Sequence, residues 1–151
     1  MTLTSSAFGA GATIPQQYTC KGADESPALE WSGSPAKAAT FAMIMDDPDA
    51  PAGTWVHWVV FNLPASARNL PEHVRPGASV PGGGKQGSND FGTTDYGGPC
   101  PPPGKPHRYY FRLFALDSVL KLPASAHRKD VDAAMKGHIV AHAELMGIFG
   151  R

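Results

Sequence analysis

Asp47, His57 and His107 are the residues of this chain whose types and neighbours could do chemistry together. Each belongs to an otherwise apolar run of alternating residues. Asp47 has the parity of Phe41, Met43 and Met45; His57 that of Trp55, Val59 and Phe61; His107 that of Tyr109, Phe111 and Leu113. Residues of one parity share one face of a strand. A carboxylate and two imidazoles at dry positions need partners, because an unpaired buried polar group costs roughly 1–3 kcal/mol. One shared pocket satisfies all three. A carboxylate beside imidazoles favours their charged form, and an imidazolium offers two donors to an anion. From the residues alone the expectation is a β-rich domain with a small polar pocket. Each residue also has an ordinary role: a strand histidine bonds a backbone carbonyl, and Asp47 ahead of Pro48 starts a turn. By the same standard Trp55 and Tyr109 are packing residues, and Lys85 and Arg108 belong to a solvated surface.

Other motifs do not hold. Gly82-Gly83-Gly84-Lys85 resembles a phosphate loop, but Ser79 stands where its first glycine belongs and Gln86 where a Ser or Thr would hold magnesium. Asp47-x-Asp49 opens like a calcium loop, yet Pro51, Ala52 and Trp58 occupy the positions that need an oxygen ligand, a glycine and a glutamate. No G-x-S-x-G, H-E-x-x-H or C-x-x-C is present. The sequence therefore suggests no catalytic set, no cofactor and no metal.

The elements that must position these residues are mostly strands. Period-two patterning predicts strands over 39–47, 55–62 and 108–117, with shorter ones over 29–31 and 144–149. The 55–62 run is apolar in both parities, as in a central strand covered on both faces. Val131, Ala134, Met135 and Ile139 predict one helix over 130–140, weakened by Gly137, and 66–70 reads as a single turn. Between Pro76 and Pro106 lie 31 residues with 16 of the chain's 32 Gly and Pro. A stretch of that kind is either functional or disordered, and Asn89, Asp90, Phe91, Asp95 and Tyr96 favour an ordered wrap.

The 151 residues suit one domain, 1–151, with no repeat and no composition break. Thirteen basic residues balance thirteen acidic ones, which speaks against a nucleic-acid partner. The longest apolar stretch, Trp55 to Leu63, is interrupted by His57 and Asn62 and is too short for an integral membrane segment. Residues 1–15 lack the basic start of a secretory signal, so the cytoplasm is expected. Cys20 and Cys100 are too few for a disulfide framework and too far apart for a zinc motif. Their pairing is left open, with two free thiols the expectation.

Three blocks together resemble the phosphatidylethanolamine-binding protein family, also called the Raf kinase inhibitor-like family. They are Asp47-Pro48-Asp49-Ala50-Pro51 with His57-Trp58; Asn89-Asp90-Phe91-Gly92 with Tyr96 to Pro102; and His107-Arg108-Tyr109 running into Leu113. Ser26 to Trp31 and Gly147 to Arg151 are similar to the short bacterial and archaeal branch. The resemblance implies an all-β-dominated sandwich with a large central antiparallel sheet, Greek-key elements and one short helix near the C-terminus. It also implies an anion pocket holding Asp47, His57, His107 and Tyr109, with the backbone of Gly98 and Pro99 approaching the ligand. Eukaryotic members carry a further C-terminal helix near that pocket, so the pocket here is expected to be more open.

The function expected is binding of a small anion or phosphate head group, such as phosphoethanolamine or another phosphate monoester, with a regulatory role. A protein-interaction module that inhibits a kinase or protease is the alternative, with the 76–106 stretch as contact surface. A phosphate-ester hydrolase using His57 or His107 as general acid or base is the third reading.

Overall fold

The alternating runs become strands of two antiparallel sheets in a computed structural model that describes residues 1–151. The small sheet contains β1 (Thr2–Thr4), β2 (Leu29–Ser32) and β5 (Asn69–Leu70), in the order β1-β2-β5. The large sheet contains β3 (Thr40–Asp47), β4 (Trp55–Pro64), β6 (Lys85–Gln86), β7 (His107–Leu116) and β8 (Ile139–Phe149), in the order β6-β4-β3-β7-β8. One face of the large sheet, with Phe41, Met43, Met45, Trp58, Phe111 and Leu113, packs on Leu3, Leu29, Trp31 and Leu70 of the small sheet. The other face, with Ala42, Ile44, Val59 and Phe61, is covered by Val131 and Met135 of helix α1 (Arg128–Met135) and by Leu120 and Ala126. Strand β3 is buried along its whole length, which is why both of its parities are apolar.

Its last two residues are both acidic and point to opposite faces. Asp46 faces the helix side, where it accepts hydrogen bonds from Arg112 Nε (3.0 Å), Arg112 Nη2 (3.1 Å) and Arg128 Nη1 (2.6 Å). Two guanidinium groups on one buried carboxylate tie the helix to the sheet. Asp47 faces the other way, at the mouth between the sheets.

The chain order in the large sheet is a Greek key. β3, β4 and β6 follow one another as neighbours, and β7 then returns past them to lie beside β3. The connection that makes this return is the stretch 87–106, rich in Gly and Pro. It is ordered by its own side chains: Asn89 Oδ1 accepts from Phe91 N (2.9 Å) and Thr93 N (3.1 Å), and Asn89 Nδ2 donates to Asp95 O (2.7 Å). The crossover therefore wraps the end of the sheet at which β3 finishes and β4 and β7 begin.

Strand β4 does not keep its parity. Its register against β3 steps from Met45↔Trp58 to Asp46↔Val56, so His57 is one residue too many. This is a β-bulge, in which two residues oppose one. Sequence parity places His57 with Val59 and Phe61; in the structure those two lie in the helix-side core, whereas His57 turns to the side of Tyr109. It shares that side with Trp55, whose pairing with Asp47 lies beyond the bulge.

Other expectations shift as well. The helix ends at Met135 rather than continuing to residue 140, because Gly137 adopts a left-handed φ of 83° and the chain re-enters the sheet at Ile139. Residues 69–70, read as part of a turn, pair with β2; the turn lies just before them, closed by a hydrogen bond from Ala67 N to Pro64 O (2.9 Å). No helix is long and apolar enough to cross a membrane. The free thiols expected are a disulfide: Cys20 and Cys100 stand with Cα atoms 5.4 Å apart. Eighty residues of sequence separation conceal that the crossover lays 98–100 against 18–20, where Cys20 N also donates to Pro99 O (3.1 Å). Cysteine usage accordingly no longer speaks for the cytoplasm.

A cross-link over so long a loop restricts the unfolded chain, and its removal is expected to cost about 2–4 kcal/mol. Urea unfolding of the Cys20→Ser, Cys100→Ser double variant should show a lower midpoint than the oxidised protein. Coincident midpoints would show that the link adds nothing to stability.

Candidate functional site

The end of the sheet wrapped by the crossover is a cleft of about 380 Å³. Asp47 comes from the end of β3, Trp55 and His57 from the start of β4, and His107 and Tyr109 from the start of β7. The turn after β3 and the crossover supply its collar: Ala50, Pro51 and Ala52 on one side, Phe91, Pro101 and Pro102 on the other. The floor is polar and the rim apolar.

The carboxylate anchors the floor. Asp47 Oδ2 accepts a hydrogen bond from His107 Nδ1 (2.7 Å), while its Oδ1 accepts from Asp49 N (2.8 Å). The turn-starting role and the pocket role read from sequence are thus filled by one side chain. Asp49, next in the turn, accepts from Arg108 N (2.9 Å), Arg108 Nε (2.9 Å) and Arg108 Nη2 (2.8 Å). The Arg108 guanidinium holds its carboxyl down at about 2. Arg108, read as surface, clamps the turn to β7.

His57 is held differently. Its Nδ1–H donates to the Gly97 carbonyl (2.6 Å), and Gly97 N donates back to the His57 carbonyl (3.0 Å). A carbonyl only accepts, so this contact fixes the proton of the neutral ring on Nδ1 and leaves Nε2 with a lone pair. Burial lowers the pKa of His57 below its ordinary value; the Gly97 carbonyl and the charge of Asp47 oppose the shift without cancelling it. The charged imidazole expected from the sequence is therefore the minor form of His57 in the free protein at neutral pH.

Two donors in the cleft lack partners. Tyr109 is fully buried and its hydroxyl has no hydrogen bond; burial first, and then the neighbouring charge of Asp47, push its pKa well up, so it stays protonated. The Trp55 indole Nε1–H is also unpaired. The rings form one cluster: His57 stands edge-on to Tyr109 (5.3 Å between centroids) and to Phe91 (5.3 Å), and Phe91 edge-on to Trp55 (5.4 Å). Phe91 remains 45% exposed at the rim.

Asp47, His57, His107 and Tyr109 are thus brought together as expected, and Gly98 and Pro99 are not. Gly98 N donates backwards to Asp24 Oδ1 (2.8 Å), and a side chain at this position would collide with the Tyr18 carbonyl. Pro99 turns its carbonyl to Cys20 N. Both are buried and neither lines the cleft, although the Gly98 backbone stands close enough to act on His57. What sequence reasoning missed is the collar. Phe91, Pro101 and Pro102 lie in the stretch whose composition marked it as functional, but nothing in their spacing shows which of its residues face the cleft.

The sequence model of the phosphatidylethanolamine-binding proteins matches residues 4–150. A relative called UPF0098 protein from Methanothermobacter thermautotrophicus is 48% identical over 151 residues, covering 100% of this chain and 99% of its own. Another of that name, from Aquifex aeolicus, is 48% identical over 153 residues, covering 100% of this chain and 89% of its own. Among solved structures, a phosphatidylethanolamine-binding protein homologue from Chlamydia trachomatis superposes with a TM-score of 0.90 at 41% identity, over 99% of this chain and 97% of that one. Escherichia coli YbcL, described as a new member of the mammalian family, superposes with a TM-score of 0.90 at 32% identity, over 99% and 98%.

The neutral His57 has a measurable signature. A lowered folded pKa means that the unfolded state binds the proton more readily, so His57 stabilises the fold fully above about pH 6.5 and loses that contribution as pH falls below it. Ring-proton NMR should place the His57 midpoint below that of an exposed histidine. A midpoint at or above the ordinary value would show that burial does not govern the ring.

Proposed function

The chain belongs to the phosphatidylethanolamine-binding protein family, and on that premise we propose that its cleft holds a small phosphate-bearing anion, with a phosphate monoester such as phosphoethanolamine as the type of ligand. Membership supports a general ligand-binding function, and the finer reading rests on the chemistry of the floor. The observation that carries it is the Tyr109 hydroxyl, fully buried, protonated and without a partner. Such a donor costs roughly 1–3 kcal/mol until an acceptor arrives, and a phosphate oxygen is an acceptor of suitable strength. The Trp55 Nε1–H is a second donor of the same kind. The Nε2 lone pair of His57 can accept from a protonated phosphate oxygen, or take up a proton and donate.

No lysine or arginine lines the cleft, so positive charge there comes from imidazole alone. The grip is therefore modest and tightens as pH falls below about 6.5, where an anion draws a proton onto His57. The apolar collar suits the hydrocarbon part of such an ester.

Calorimetric titration of phosphoethanolamine into protein freed of bound anions tests the reading. Tyr109→Phe removes the unpaired hydroxyl without opening a cavity, so it should leave the melting temperature unchanged or raised and weaken binding about 3- to 10-fold. Repeating the titration with ethanolamine O-sulfate, which does not titrate near neutrality, separates proton uptake by the protein from that of the ligand. Wild-type protein that takes neither ligand, or a Tyr109→Phe variant with unaltered affinity, would overturn it.

A further inference from the structure

Two imidazoles face one cleft, and each is tied by Nδ1 to a different kind of acceptor. His57 donates to the Gly97 carbonyl and His107 to the Asp47 carboxylate. Neither Nε2 has a partner in the protein. Tyr109 lies between the rings, edge-on to His57 at 5.3 Å and stacked on His107 at 6.4 Å between centroids, with its hydroxyl unpaired. A histidine kept for packing needs no such division. A base and an acid do: one ring must be free of charge with an open lone pair, and the other must give up a proton while a carboxylate offsets its charge.

Resting on the phosphate-binding reading above, we propose that this cleft cleaves phosphodiesters that carry a hydroxyl on the carbon next to the esterified one, with His57 as general base and His107 as general acid. The substrate's own hydroxyl supplies a nucleophile that no side chain of the cleft provides. Cys100 is locked in its disulfide, Tyr109 is kept protonated, and no serine or threonine lines the site. A hydroxyl one carbon away attacks intramolecularly, which replaces the missing side-chain nucleophile.

The step balances within the substrate and the two rings. His57 Nε2 takes the proton of the neighbouring hydroxyl as its oxygen forms a bond to phosphorus. The bond from phosphorus to the leaving oxygen breaks, and His107 Nε2–H gives that oxygen its proton. The products are a five-membered cyclic phosphate and an alcohol. Solvent returns the two rings to their starting states by exchanging one proton at each. The Tyr109 hydroxyl donates to a non-bridging oxygen, where charge grows in the transition state. The charged and titratable groups facing His57 are Asp24, Asp47 and Tyr109, and those facing His107 are Asp47, Asp49 and Tyr109.

The test uses two diesters with the required hydroxyl but different leaving groups. Glycerophosphoethanolamine releases an alkoxide that needs a proton, and its cyclic product is followed by phosphorus NMR. The 2-hydroxypropyl ester of 4-nitrophenyl phosphate releases a phenolate that departs without one, followed by absorbance. His57→Ala should slow both by about 100-fold or more, whereas His107→Ala should slow the first by as much and the second far less. A structural role for His107 would depress both alike. Ethyl 4-nitrophenyl phosphate, which lacks the hydroxyl, should be inert to the wild-type protein, and that comparison holds even if a variant fails to fold. Cyclic product no faster than in buffer, turnover untouched by both substitutions, or equal rates with and without the hydroxyl would each overturn the proposal. Phosphoethanolamine titrated into the same wild-type samples separates the two readings: binding without turnover sinks the activity alone, and neither sinks both.

Discussion

The end of the large sheet is closed by a loop rather than by a strand, and the site depends on how that loop is hydrogen-bonded. Beyond the bulge, β4 offers its outer edge, Val56 and His57, to the crossover. Val56 N donates to Asp90 Oδ2 (2.7 Å) and Asp90 N to the Val56 carbonyl (2.9 Å). One residue on, the His57 main chain and ring both engage Gly97. These contacts satisfy backbone groups that would otherwise be stranded where the sheet meets the cleft. They also fix the crossover at two points, so that Phe91 and the Pro101–Pro102 pair stand over the floor. The extra residue of the bulge is what turns His57 into this position.

The same economy governs the two carboxylates at the end of β3. Adjacent residues of a strand face opposite sides, so Asp46 and Asp47 serve different layers without repelling each other through a shared environment. Asp46 is enclosed by the guanidinium groups of Arg112 and Arg128 and joins helix to sheet. Asp47 receives only an imidazole and a backbone N–H, and it joins the turn to β7. A carboxylate matched by two guanidiniums is a fastening. One matched by an imidazole and a backbone N–H fixes the ring and the turn at the cleft floor.

Most of this was legible in the sequence where strand parity holds, and illegible where the chain breaks parity. The apolar alternation of 39–47 and 108–117 leads to β3 and β7, and the floor residues Asp47, His107 and Tyr109 follow from it. His57 reached the same pocket on a mistaken premise, because a bulge leaves no mark on composition and its companions Val59 and Phe61 face the helix. Strands of two or three residues, such as β1, β5 and β6, are too short to show a period at all. The disulfide and the backward-facing Gly98 both depend on how the crossover meets residues 18–24, a long-range contact that no local pattern encodes. The helix end misled for a different reason: Ile139 has the right spacing for α1 but serves β8 instead, once Gly137 reverses the chain.

The polar groups of the cleft divide into a half that the protein satisfies and a half that it leaves open. Each ring nitrogen, carboxylate oxygen or backbone group on the inner side is paired, and that pairing sets orientation and tautomer. On the outer side the Tyr109 hydroxyl and the Trp55 indole are left without acceptors, although burial makes this costly. The Tyr109 hydroxyl makes no full hydrogen bond in the protein, although the nearby Asp47 carboxylate helps to hold its proton. An acceptor brought by another molecule would complete the hydrogen bond and offset that cost. The apolar collar adds to this by excluding water that would otherwise complete it at no gain in selectivity.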